Sequence, residues 1–419
     1  MNAQEAAKRL IAGCKDVVSE ADLVLKLEKA YRNASPKSEV LNPNPDLEFG
    51  ASSSGFAPLR VKLGIDASGP DIHLGFAVVL WKLRQFQECG HTAVLVVGDF
   101  TGRIGDPSGR SKTRPQLSDE DIERNLARYK EQISKILIPE RTEFVFNSSW
   151  SDPLTAREII KLASRITLAR IIEREDFKNR LSQGLPVSLH EILYPLFQAY
   201  DSVAVKADVE LGGQDQYWNL LVGRELQRSF GQEPQVIMTM PLLEGLDGKL
   251  KMSKSYDNYI GVSEPPQQIY GKAMSIPDAL ITRYFQLTTD WNLEHVREVE
   301  QGLKRGDNPR DWKDKLARAI VTRYHSRAEA DSAAADFSRM FKEHKPPEEM
   351  PELQLGGPAV LVDVIVKAGL LPSKSEARRK IAEGAVYLDA ERVTDQGLTL
   401  EPGSPRVLKV GKRKFLRIR

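Results

Sequence analysis

Residues Leu59 to Gly109 read LRVKLGIDASGPDIHLGFAVVLWKLRQFQECGHTAVLVVGDFTGRIGDPSG. The run Leu59 to Ile65 is aliphatic and β-branched, the pattern of a buried strand. It ends at Asp66, and a small-residue turn follows, Ala67-Ser68-Gly69-Pro70-Asp71. His73-Leu74-Gly75-Phe76 then opens an apolar-periodic helix that the pattern carries to about Gln87. A second strand is expected from Thr92 to Val97, running into another glycine-rich loop. Strand, turn, helix and strand form a βαβ unit, which implies parallel pairing and a right-handed crossover. Ligands of such sheets sit outside the carboxyl ends of the strands, where both glycine-rich turns fall.

The chain around this unit has 419 residues, enough for two or three domains and a large core. Lys and Arg number 60 against 58 Asp and Glu, so a net charge of +2 names no partner. Cys14 and Cys89 are too few and too far apart for a disulfide framework or a cysteine zinc site. The N-terminal stretch lacks an apolar core of signal-peptide length, and no stretch approaches a membrane span. The expectation is a soluble, cytoplasmic protein with no membrane partner.

Upstream, residues 1–33 suggest two short amphipathic helices, and the Pro-, Asn-, Ser- and Gly-rich residues 34–57 suggest a flexible insertion. Downstream, Arg110-Ser111-Lys112-Thr113-Arg114-Pro115 is basic, and a helix is expected from Ser118 to about Ile138. Glu143 to Asn147 reads as a strand. Thr155 to Ile172 reads as one helix with its cations toward solvent, and Pro186 to Tyr200 as a helix entering the core. Val209 to Leu211 delivers Gly212-Gly213-Gln214-Asp215-Gln216, a helix spans about Tyr217 to Ser229, and Gln235 to Leu243 is the last strand-like run. It leads to Gly245-Leu246-Asp247-Gly248-Lys249-Leu250-Lys251-Met252-Ser253-Lys254-Ser255. Strand signals stop beyond Pro265, and helices take over.

A His and a Gly at a helix N-terminus offer a ring donor, close backbone approach and unpaired N–H groups, which suit phosphate. Alone, a His at such a turn is more often structural. Lys249, Lys251 and Lys254 sit on a Gly- and Ser-bearing loop, where mobile cations can close on a polyphosphate as charge develops. Alone, a K-x-K-x-x-K is more often a solvated loop. Tyr194, Gln198 and Asp201 share one helical face and carry a phenol, an amide and a carboxylate. The carboxylate can accept a hydrogen bond from a substrate hydroxyl, and the amide and phenol can hold an ammonium.

Taken together, His73-Leu74-Gly75 and Lys251-Met252-Ser253-Lys254-Ser255 resemble the HIGH and KMSKS signatures of class I aminoacyl-tRNA synthetases. No Walker loop or G-x-G-x-x-G competes with them. Tyr194-x-x-x-Gln198-x-x-Asp201 resembles the amino-acid motif of the tyrosyl-tRNA synthetase family, Gly212–Gln216 its GG-x-DQ segment and Gly105–Gly109 its GDPSG loop. The resemblance runs from Leu59 to Arg419 and is closest to the bacterial branch with an HLGH box. It implies a Rossmann-like parallel-sheet α/β catalytic domain, then an α-helical domain and a small α+β S4 RNA-binding domain. The expected divisions are 1–58 N-terminal helices and insertion, 59–262 catalytic, 263–344 helical and anticodon-side, 345–357 linker and 358–419 S4.

The implied reaction activates L-tyrosine with ATP to tyrosyl-AMP and pyrophosphate, then transfers tyrosine to the 3′-terminal adenosine of tRNA(Tyr). His73, Lys251 and Lys254 would be catalytic. ATP would also meet Gly75, Asp66, Ser68, Asp215 and Ser253. Tyrosine would meet Asp106, Tyr194, Gln198, Asp201 and Gln216, with Asp201 on the phenolic hydroxyl. Mg²⁺ would accompany ATP, with no protein-bound metal, and the enzyme would be a homodimer. No insertion is large enough for an editing domain.

The tail carries the RNA expectation. Residues 358–419 hold 13 Lys and Arg against 7 Asp and Glu, a surplus of six cations. Such clusters neutralise phosphates and release counterions. The resemblance to an S4 domain implies tRNA contacts from Lys374, Arg378, Arg379, Lys380, Lys412, Arg413 and Lys414.

Two departures from the family pattern stand out. Phe76 occupies the place of the second HIGH histidine, so that position offers no hydrogen bond to the ATP ribose. Asp66-Ala67-Ser68 stands where the family has D-P-T, keeping the hydroxyl and losing the proline. One neutral hydrogen bond is worth ~1 kcal/mol net, so activity is still expected. The competing readings are adenylylation of another carboxylate, since pantothenate synthetase has related motifs, and a non-catalytic RNA-binding relative.

Overall fold

The computed structural model describes residues 2–32, 57–65, 71–104, 128–342, 350–389, 391–403, 405–411 and 414–419. Residues 34–56 of the expected insertion 34–57, Asp66, Ser68, the Gly105–Gly109 loop with Asp106, the basic stretch after it, the expected helix start at Ser118, and Lys412 and Arg413 lie outside the described residues. The chain divides into two compact units, Met1–Tyr324 and His325–Arg419.

Among the described residues the first unit is built on six strands: β1 Asp16–Val18, β2 Arg60–Ile65, β3 Thr92–Val97, β4 Thr142–Phe146, β5 Val209–Gly213 and β6 Val236–Met240. Their order is β1-β6-β5-β2-β3-β4, and every pair except β1–β6 is parallel. Val61, Leu63, Val94, Leu95, Val209 and Val236 are buried, which a parallel sheet covered on both faces demands. The chain winds outward one way through β3 and β4 and the other way through β5 and β6. The switch point therefore lies between β2 and β5, and a ligand crevice opens beyond their carboxyl ends. Helix α3, Leu74–Glu88, makes the β2–β3 crossover and buries Leu74, Val78, Leu83 and Phe86.

Before the sheet stand α1, Ala3–Ile11, and α2, Glu20–Arg32. Between them β1 adds an antiparallel edge to β6, with Val17 opposite Met238. The sequence reading missed it, because three residues are too few to show alternation.

Three expected boundaries are corrected. The stretch 155–172 is two helices, Ala156–Ala163 and Leu168–Ile172, because Thr167 caps a new start by accepting from the Arg170 N–H. The core helix runs Leu189–Ala204 and carries Pro195 inside it. Asp201 thus lies within the helix, not just past its end. The last strand stops at Met240.

Helices Pro266–Ala273, Ile281–Thr288, Leu293–Arg305 and Pro309–Tyr324 complete the first unit, with Tyr284, Phe285, Leu316 and Ile320 buried. They belong to the same compact unit as the sheet, whereas the helix Arg327–Lys342 falls in the second. The expected division at 263 is therefore not a break between compact units.

The second unit holds a five-stranded sheet whose centre is the hairpin Arg406–Val410 and Lys414–Ile418. Helices Leu361–Lys367 and Lys374–Ala382 pack Leu361, Ile365 and Ile381 with Val386, Leu408 and Leu416 in one core. Among the described residues no helix is long and apolar enough to cross a membrane.

Candidate active site

A cavity of about 280 Å³ opens at the switch point. Its wall begins where α3 begins. His73 has extended backbone, φ −108° and ψ 163°, and caps the helix by accepting the Phe76 N–H on Nδ1 at 3.2 Å. An accepting Nδ1 leaves the ring proton of a neutral imidazole on Nε2. Burial, with Lys254 and Lys251 close by, pushes the His73 pKa down to about 4. At neutral pH His73 is therefore an uncharged N–H donor at a helix N-terminus, a fit for phosphate oxygens.

The Lys251–Ser255 loop lies against this turn. Met252 is buried, and its Sδ is 3.4 Å from the Gly75 nitrogen, 177 residues away in sequence. A Cβ at Gly75 would stand 3.2 Å from His73 Nδ1 and 3.3 Å from Met252 Cβ, so turn and loop meet here with little room to spare. The loop cations already have partners. Lys251 Nζ donates to Asp215 Oδ2 at 2.6 Å, and Lys254 Nζ to the Tyr129 hydroxyl at 3.0 Å. Ser253 N donates to Asn258 Oδ1 at 2.8 Å, while Asn258 Nδ2 donates to Asp247 Oδ2 at 2.7 Å and to the Lys251 carbonyl at 3.2 Å. Asn258 thus staples the loop from behind.

The other wall is the helix Leu189–Ala204. Tyr194, Gln198 and Asp201 all line the cavity, as one face of a helix allows. Asp201 is 4% exposed. Its Oδ1 accepts from Trp150 Nε1 at 2.8 Å and its Oδ2 from Asn147 Nδ2 at 3.4 Å. Burial raises its pKa to about 7, against the lowering effects of Lys62 and of these two donors. Gln198 and Gln216 are joined through Asn219, whose Nδ2 donates to Gln198 Oε1 and to Gln216 Oε1, both at 3.0 Å.

His73, Gly75, Asp215, Lys251, Ser253 and Lys254 line the same cavity as Tyr194, Gln198, Asp201 and Gln216. Phe76 lines it too, as an apolar surface where the family pattern has a histidine. Among the described residues no three His, Cys, Asp or Glu side chains come together as a metal centre needs.

In the second unit Lys374, Arg378, Arg379 and Lys414 are exposed and Lys380 is half-buried. Several of these cations have acidic or carbonyl partners. Lys374 meets Asp363 at 2.7 Å, Lys380 meets Glu383 at 2.7 Å, and Lys414 Nζ donates to the Leu370 carbonyl at 2.6 Å.

The sequence reading missed Tyr129, Asn147, Trp150, Asn219 and Asn258. Asn147 and Trp150 had a signal, since they follow the carboxyl end of a parallel strand, where ligands bind. The others depend on which segments meet, and no spacing announces that.

Comparisons with known proteins bear on this geometry. Residues 56–342 match the class I tRNA synthetase family (W and Y), and residues 343–418 match the tyrosine–tRNA ligase SYY-like C-terminal domain. The tyrosine–tRNA ligase of Thermotoga maritima is 54% identical over 86% of this chain and 90% of its own. That of Moorella thermoacetica is 50% identical over 99% of this chain and 96% of its own. Among solved structures, a C-terminally truncated mitochondrial tyrosyl-tRNA synthetase from Aspergillus nidulans superposes with a TM-score of 0.62 at 20% identity. It covers 81% of this chain and 94% of its own, a likeness of fold. The family match spans strands β2 to β6 and the helices that follow them, and the near relatives are ligases for tyrosine. The chain belongs to the tyrosine–tRNA ligases, within the class I tRNA synthetases.

Proposed function

We propose that the switch-point cavity is where this ligase joins tyrosine to ATP, with Asp201 reading the phenol and the His73 turn and Lys251–Ser255 loop handling the phosphates. The observation that carries the assignment is the shared wall. A buried carboxylate with neutral donors behind it lines the same cavity as two lysines and a helix-capping histidine.

In the first step a tyrosine carboxylate oxygen attacks the α-phosphorus. The bond to the bridging oxygen breaks, and its electron pair leaves with pyrophosphate. Negative charge grows on the departing phosphates, and His73 Nε2–H, the α3 N-terminus, Lys251 and Lys254 are the groups proposed to meet it. Gly75 gives the phosphates close backbone approach, Ser253 adds a hydroxyl, and Asp215 is suited to the ribose hydroxyls. Asp201 accepts the tyrosine O–H, while Tyr194, Gln198 and Gln216 surround the ammonium end. Asp66, Ser68 and Asp106 are proposed for the same two substrates on the sequence pattern alone. Mg²⁺ arrives on the ATP phosphates as part of the substrate. In the second step a ribose hydroxyl of the tRNA terminal adenosine attacks the adenylate carbonyl, and AMP leaves.

Lys374, Arg378, Arg379, Lys380, Lys412, Arg413 and Lys414 are proposed to meet tRNA phosphates. A homodimer is proposed as well, supported by apolar side chains left exposed in one stretch: Ile160 at 71%, Leu168 at 59% and Leu189 at 75%. A cytoplasmic site of action fits the two unpaired cysteines.

The deciding experiment is ATP–pyrophosphate exchange driven by tyrosine. Exchange that depends on tyrosine and vanishes in Lys254→Ala supports the assignment. Exchange that survives that substitution undiminished refutes it.

A further inference from the structure

In the middle of the sheet, where Glu210 lines the cavity, sits a charged pair. Lys62 on β2 stands in register with Glu210 on β5. Their side chains are 0% and 2% exposed, and Lys62 Nζ lies 2.8 Å from Glu210 Oε1. Lys62 Nζ also donates to Ser202 Oγ at 2.7 Å and to the Gln198 carbonyl at 2.9 Å. Three donors thus meet three acceptors. The other Glu210 oxygen accepts from Ser202 Oγ at 3.0 Å and from Gln235 Nε2. The cluster is closely packed, since a Cβ at Gly223 would fall 2.8 Å from Gln235 Nε2 and 3.3 Å from Glu210 Oε2.

Stability alone does not account for this pair. Central strands of parallel sheets are normally aliphatic. Desolvating two charges costs about as much as their attraction returns, and well-packed apolar residues often serve a core as well or better. The positions of its acceptors suggest another role. Gln198 and Ser202 flank Asp201 on the recognition helix, one on either side in sequence. The ammonium therefore fixes the turn of helix that carries Asp201 against β2 and β5.

We infer that Lys62, held by Glu210, is a positioning residue for tyrosine recognition: it anchors the Gln198–Ser202 turn and supplies the positive charge that offsets Asp201. The inference rests on Asp201 being the acceptor for the phenol. Direction and sign agree with the geometry. Lys62 lowers the Asp201 pKa more than any other neighbour does, while Glu210 opposes it more weakly. The remaining groups on Asp201 are the neutral donors Trp150 and Asn147, beyond β4, and the Tyr194 phenol lines the same cavity from Asp201's own helix.

The test uses the full chain and three variants. Lys62→Met/Glu210→Gln removes both charges and leaves Glu210's partners an amide. Exchange is measured with tyrosine and with phenylalanine, kcat/KM for tyrosine is followed against pH, and thermal unfolding checks the fold. The expected result is a Tm within about 5 °C of the parent. Selectivity for tyrosine falls by roughly tenfold or more, and the acid limb rises by about one pH unit. KM for ATP stays at the parent value.

Glu210→Gln alone predicts the opposite shift. With the opposing carboxylate gone, the acid limb moves to lower pH, which damaged folding does not imitate. If the double variant does not fold, this single variant decides the matter by itself. Parent-like selectivity with an unmoved acid limb in the double variant overturns the inference, and so does an unmoved limb in Glu210→Gln. Asp201→Asn runs in parallel. If it loses selectivity while the double variant keeps it, only the role of Lys62 fails. If Asp201→Asn keeps selectivity, the assignment of Asp201 fails and this inference falls with it.

Discussion

Trp150 Nε1 donates to Asp201 Oδ1 at 2.8 Å, so a neutral indole N–H fixes a carboxylate that burial would otherwise disfavour. Trp150→Phe keeps most of the ring and deletes the donor. A hydrogen bond to a charged group is worth ~1.5–3 kcal/mol. Selectivity for tyrosine over phenylalanine should therefore drop by roughly tenfold or more. Exchange rates with each amino acid measure it, and an unchanged ratio removes Trp150 from recognition.

The pH dependence has a definite sign. The Asp201 pKa is raised to about 7 by burial, from an ordinary 3.8. Folded Asp201 therefore holds a proton that the unfolded chain has already released. Its contribution to stability is intact below about pH 4 and is lost as pH climbs through 7. Asp201→Asn should stabilise the fold at pH 8 relative to the parent, with the gap closing toward pH 4. Denaturant titrations at several pH values read this directly. The same group should give kcat/KM for tyrosine an acid limb near 7, absent in Asp201→Asn.

On the proposed assignment, Lys254 and Lys251 act on charge that develops late. Removing one preorganised cation of this kind costs about 10²–10³ in rate. Lys254→Ala should lose that factor in exchange while binding tyrosine as the parent does. Equilibrium dialysis with labelled tyrosine separates the two effects.

Asn258 holds the loop from behind through three hydrogen bonds. Asn258→Ala leaves the Ser253 N–H and the Lys251 carbonyl without this partner. KM for ATP should rise severalfold, and tyrosine affinity should not move. Steady-state exchange at varied ATP checks it. Equal weakening of both substrates would point to a general loss of structure.

Arg378 and Arg379 are exposed on the helix Lys374–Ala382. Arg378→Ala/Arg379→Ala should leave pyrophosphate exchange intact and raise KM for tRNA, with a shallower dependence on salt. Charging assays at two ionic strengths decide it.

Much of this was readable in the chain because the signals were periodic or short-range. The βαβ unit from Leu59, the strand Thr92–Val97 and the loop after Gly248 all follow from local pattern. Lys62 shows where that stops. It sits in a run that reads as a buried strand, and nothing local says that Glu210, 148 positions later, will lie beside it. Asn258 and Tyr129 are hidden for the same reason, since their partners come from folding and not from spacing. The split at Thr167 was missed for a smaller cause: a capping threonine inside an amphipathic run looks like any other helical position.

Lys251 clasps Asp215, and Lys254 rests on Tyr129. An incoming anion competes with these companions for the same ammoniums. Sulfate carries acceptor oxygens only, so it brings no donor for Asp215 in place of Lys251. A nucleotide held as proposed brings ribose hydroxyls for Asp215 together with phosphates for the ammoniums. On that assignment the resting loop favours a nucleotide over a small anion, because only the nucleotide answers both Asp215 and the lysines.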